Sequence, residues 1–192
     1  MRYRGRTSRR TGGYACTECR IAFNPSPAPG AAAGHLVGSG NHRGSIFRLL
    51  IGQALLARTD VAPCKSWGVK SDVTKASLAL QISRAELVRD EEPVERAVTD
   101  YVRGMPFLWL DVDDEPGRDS LRGIVERNAI ALLSNHDRPA LDPPSPGWLG
   151  HASGRPLVRG SGLWNQRHVD EAHNPRFLDT FEMMIAQQGR GD

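Results

Sequence analysis

Apolar positions recur at helical spacing in four stretches of the chain and form one unbroken block. Behind Ser45, a residue suited to an N-cap, Ile46, Phe47, Leu49, Leu50, Ile51, Ala54, Leu55 and Leu56 make a broad face that predicts a helix over 45–57. Val94, Ala97, Val98, Tyr101 and Val102 predict a second helix over 92–104, with Pro93 in its first turn and Pro106 past its end. Phe107 to Val112, bounded by that proline and an acidic turn, reads as a buried strand. Asp119 or Ser120 then caps a helix to Leu133 through Leu121, Ile124, Val125, Ala129 and Leu132. Phe177, Leu178, Phe181, Met184 and Ile185 predict a last helix over 175–187.

Between these elements the pattern vanishes. Residues 23–40 and 136–160 are dense in Pro, Gly and Ser and read as long loops, in line with 20 Gly and 13 Pro in 192 residues. The net charge of +3 conceals a gradient: residues 1–50 carry eight arginines against Glu18, and the remainder is net acidic. Arg2, Arg4, Arg6, Arg9 and Arg10 open the chain without apolar periodicity, the signature of a disordered arm able to track phosphates, with Arg9 and Arg10 as candidate DNA contacts. No apolar run is long enough to span a bilayer and no h-region follows the basic start, so a soluble, cytoplasmic protein without a membrane partner is expected. Three cysteines exclude a disulfide scaffold.

Few residues carry candidate chemistry. Glu126 lies mid-helix with Arg122, Gly123, Ala129 and Ile130 as its turn neighbours, so the carboxylate needs a partner. That partner is either Arg122 at i−4 or a divalent metal, since one carboxylate with waters and a substrate phosphate is an ordinary Mg²⁺ site. His42, Arg43 and Arg48 surround the start of the first helix, where free N–H groups favour an anion. The two arginines suit phosphate and the histidine suits proton movement; the plain alternative is a capped helix with surface arginines. Cys16 and Cys19 have half a zinc spacing, with Cys64, His35 and His42 as scattered complements. Trp148 and Trp164 could stack on a nucleotide but more commonly pack a core. His168, Asp170, Glu171 and His173 read as a solvated loop cluster and are assigned no site.

Gly40 to Gly52 (GNHRGSIFRLLIG), Met105 to Asp111 (MPFLWLD), Ser120 to Asn135 (SLRGIVERNAIALLSN), Trp148 to Gly150 and Ser161 to Glu171 (SGLWNQRHVDE) together resemble a bacterial branch of the GIY-YIG nuclease superfamily, over about residues 38–186. The resemblance implies an α+β fold, a small antiparallel sheet flanked by helices, in a domain over 38–192 preceded by a non-homologous basic segment over 1–37. It implies a DNA endonuclease, acting on double-stranded DNA with one Mg²⁺ or Mn²⁺ ion, in which Glu126 matches the family's metal-binding glutamate and Asn135 a supporting asparagine. An arginine would neutralise charge on the phosphate and a tyrosine or histidine would activate water. The family's tyrosine hairpin and arginine helix are not legible in residues 11–37, so a catalytically inactive remnant that binds DNA or protein is the competing expectation. Arg43, Arg48 and His42 stand in as candidate catalytic groups. The break near residue 38 also suggests an upstream segment translated out of frame.

Overall fold

The computed structural model describes residues 12–16, 40–105, 107–111, 114 and 120–188. Arg9, Arg10 and the loop before residue 40 lie outside the described residues, so the expectations placed on them have no structural counterpart. The elements run β1 (Gly12–Cys16), α1 (Ile46–Ala57), α2 (Val73–Leu80), α3 (Arg84–Arg103), β2 (Phe107–Asp111), α4 (Leu121–Leu133), a 3-10 turn (Leu149–Ala152), α5 (Pro156–Ser161) and α6 (Phe177–Gln188).

Capping chemistry sets the helix starts. Ser45 Oγ accepts the Arg48 N–H at 3.3 Å to open α1, and Ser120 Oγ accepts the Gly123 N–H at 3.0 Å to open α4. The Asp72 carboxylate accepts two first-turn N–H groups of α2, a short helix absent from the sequence expectation. α3 starts eight residues before the expected 92, because Ser83 and Glu86 form a reciprocal capping box (Ser83 N–H to Glu86 Oε2 2.8 Å, Glu86 N–H to Ser83 Oγ 3.2 Å). Pro93 therefore sits inside the helix, on its exposed side, and not in its first turn. The expected loop over 136–160 contains the 3-10 turn and the start of α5, whose first residue is Pro156.

Two apolar cores hold the helices. Leu50, Ile51, Ala54 and Leu55 of α1 pack with Val94, Val98 and Val102 of α3, and Trp67, Trp148, Leu149, Val158 and Trp164 complete this cluster. Gly52 lies so close under the indole of Trp67 that a Cβ there would come within 2.1 Å of a ring carbon. The second core joins Val125, Ala129 and Ile130 of α4 to Leu163, Val169, Phe177 and Met184. Neighbours Leu163 and Trp164 thus enter different cores, which makes the loop after α5 the staple between them. Trp148 and Trp164 meet edge to face, centroids 5.5 Å apart, so both indoles are core residues and not nucleotide platforms.

The expected α+β architecture is overturned: the described residues are predominantly helical, and both cores are built by helices and the loops between them. The extended pairing is confined to a ribbon of β1 antiparallel to β2, Gly12 opposite Asp111 through Cys16 opposite Phe107. A two-stranded ribbon has too little face to organise flanking helices, whereas helix-on-helix packing buries an apolar stripe on each partner. Among the described residues no helix is long and apolar enough to cross a membrane.

Candidate functional site

The residues expected to meet phosphate at the start of α1 turn inward instead. Arg43 lays its guanidinium fork on both oxygens of Glu91 of α3, Nη1 on Oε2 and Nη2 on Oε1 at 2.6 Å, with both side chains buried. Arg48 is fully buried: Nε and Nη2 reach Glu95 Oε2 at 3.0 and 2.6 Å, and Nη2 also donates to the Glu95 carbonyl and to Thr99 Oγ1 at 2.9 Å each. His42 completes the clamp. Its backbone N–H and ring Nδ1 both reach Glu95 Oε1, at 2.7 and 2.9 Å, and its ring stacks on Trp67 at 4.0 Å. The Gly68 N–H points at Nε2 over 3.4 Å, so the tautomer that satisfies both nitrogens carries its proton on Nδ1. Burial pushes the Glu95 carboxyl up, but the His42 ring, the Arg48 guanidinium and the His42 backbone N–H outweigh it and hold the group below the usual carboxylate range. This cluster welds α1 to α3. His42, Arg43 and Arg48 are consumed by it, and their expected roles on phosphate and proton are not supported by where they sit.

Glu126 shows the opposite pattern. It is half-buried on α4, and among the described residues it makes no hydrogen bond or ion pair. Of the two alternatives, the ion pair with Arg122 is not formed; Arg122 bonds Asp114, Nη2 to the carbonyl at 3.1 Å and to Oδ1 at 3.4 Å. Burial raises the Glu126 carboxyl above its usual range, opposed by the nearby charges of His168 and Arg167. A carboxylate kept partly from water without a partner is costly, and such groups concentrate where a ligand supplies the partner.

The charged groups near it come from the loop after α5. Leu163 and Val169 anchor this loop beside Val125 and Ala129 of α4, and Ser134 Oγ and Arg138 Nη2 hold the carbonyls of Val169 and Glu171 at 2.5 and 2.9 Å. Arg167 is exposed and makes no hydrogen bond or ion pair among the described residues. His168 takes a left-handed backbone conformation, φ +62°, and its Nδ1 meets Glu171 Oε1 at 2.8 Å. The other Glu171 oxygen accepts from Nε of Arg127, next to Glu126 on α4, at 2.5 Å. Those bonds to His168 and Arg127 outweigh burial and hold the Glu171 carboxyl below its usual range, so it stays an acceptor.

Asn135 lies just past Ser134, the C-cap of α4, and nine residues from Glu126. Its N–H bonds the Ser161 carbonyl at 2.9 Å and its Nδ2 the Asp142 carbonyl at 3.2 Å, so it fastens two loops and does not join Glu126. Among the described residues the zinc candidates do not assemble, since Cys64 meets Ser66 and Asp90 and the His42 ring is occupied; His35, Cys19 and the Cys16 side chain lie outside the described residues. No group of three or more His, Cys, Asp or Glu able to hold a metal occurs among the described residues. His168 and Glu171 were passed over in the sequence as a solvated cluster. The signal that reveals them is buried Val169 between them, which ties a polar run to the core.

The sequence matches the family profile described as GIY-YIG domain over residues 30–190. No curated protein and no solved structure is significantly similar to the chain.

Proposed function

The chain belongs to the GIY-YIG domain family, a nuclease-like family, and on that premise we propose that it is a metal-dependent endonuclease hydrolysing phosphodiester bonds of double-stranded DNA. The observation that carries this reading is Glu126: half-buried, unpartnered among the described residues, and with the charges of Arg167 and His168 nearby. A single unpartnered carboxylate fits one hard divalent ion. Mg²⁺ or Mn²⁺ takes one or two protein carboxylates and fills its remaining positions with water and substrate oxygens. Held by Glu126, the ion would supply charge neutralisation at the scissile phosphate. Arg167, a cation with no partner among the described residues, suits a non-bridging phosphate oxygen, and the loop bonds to Ser134 and Arg138 fix the segment that carries it.

The test is nicking of supercoiled plasmid with Mg²⁺ or Mn²⁺ by the protein and by Glu126→Gln purified identically. Nicking by the parent and none by the variant, with duplex binding within about twofold, is the expected result. Thermal unfolding gives a second readout. Folding raises the Glu126 pKa, so its contribution is full below the unfolded carboxylate value and is lost as pH rises through the folded one. At neutral pH without metal Glu126→Gln should therefore melt higher than the parent, while Mg²⁺ should raise the melting temperature of the parent alone. A parent that neither nicks nor responds to metal would leave an inactive remnant of the fold.

A further inference from the structure

Resting on that reading, we propose that His168, oriented by Glu171, is the group that takes the proton from the attacking water. Three observations converge on it. Its Nδ1 is occupied by Glu171 at 2.8 Å, while Nε2 has no partner among the described residues. Because both Glu171 oxygens accept, one from Arg127 and one from His168, Nδ1 is the donor in that contact, and the neutral ring then carries its lone pair on Nε2. The backbone of His168 holds φ +62°, a left-handed conformation uncommon in a residue with a Cβ. That conformation persists because both sides of it are tied down: Val169 is buried in the second core, its carbonyl accepts from Ser134, and the Glu171 carbonyl accepts from Arg138.

The same restraints lay the loop along α4. Glu171 bonds Arg127, and the Asn174 N–H bonds Asn128 Oδ1 at 2.7 Å, so the loop crosses α4 at the two positions that follow Glu126. His42, the histidine expected from the sequence to move a proton, has both nitrogens engaged and its ring stacked on Trp67. In the step, a water oxygen bonds to phosphorus as one of its protons passes to Nε2. The bond from phosphorus to the leaving sugar oxygen breaks with its electron pair, and that oxygen takes a proton from solvent. Glu171 is a positioning residue: its carboxylate fixes the tautomer and ring plane and touches no reacting atom.

His168→Ala should slow nicking by at least about 100-fold with duplex affinity unchanged, and added imidazole should restore a measurable part of the rate. Glu171→Ala should also slow nicking, whereas Glu171→Gln, whose amide oxygen can still accept from Nδ1–H, should keep most of it. Nitrogen-15 NMR of the histidine rings in mildly alkaline buffer should show the His168 proton on Nδ1. A parent that nicks beside an equally active His168→Ala overturns the inference and leaves the nuclease reading standing. So does a His168→Ala that imidazole does not rescue. A ring proton found on Nε2 overturns the inference whether or not the protein nicks, and a parent that does not nick overturns both.

Discussion

Arg48 and Glu126 are two charged helix residues that the fold treats in opposite ways. Arg48 is buried with its guanidinium on Glu95 and Thr99, so Arg48→Ala leaves Glu95 only its bonds to His42 and should cost about 3 kcal/mol, read from urea unfolding. The same variant, assayed where it remains folded, should keep the parent's salt dependence of DNA binding, because no phosphate contact is lost. Among the described residues Glu126 has no partner, and burial raises its carboxyl, which works against the folded state at neutral pH. The sequence distinguished these residues from their neighbours but not from each other. Both are charged residues on an apolar helix, and only the partner found 47 residues away, Glu95, makes Arg48 structural.

At the scale of elements, local chemistry was legible and range was not. The spans of α1 and α4 follow from their apolar spacing and serine caps. α3 was misjudged because Pro93 looked like a first-turn residue, although the Ser83/Glu86 capping box lay upstream. A proline inside a helix lacks one N–H donor and crowds the preceding turn. Pro93→Ala, at an exposed position, should therefore stabilise the protein by up to about 3 kcal/mol, seen as a higher urea midpoint with unchanged slope. The short helices α2 and α5 escaped the sequence reading because eight and six residues are too few to show a period.

For the whole molecule, the clamp between α1 and α3 sets the response to acid. Folding lowers the Glu95 pKa, so its contribution is full above the unfolded carboxylate value and is lost as pH falls through the lower folded value. Stability should fall across the acid range, and Glu95→Gln, weaker at neutral pH, should lose less on acidification when melting is followed against pH. What the sequence determined by itself was local: helix periods, caps, the strand at Phe107–Asp111, the carboxylate on α4, and motifs specific enough to mark the family. The tertiary structure decided that the helices pack on one another and not on a sheet, that His42, Arg43 and Arg48 close onto α3, and that a loop some forty residues after Glu126 brings the charges of Arg167 and His168 near it. The physical reason is range. Periodicity and capping act within a turn or two of helix, whereas a charge becomes a clamp or a site according to which distant group meets it and how much water remains between them.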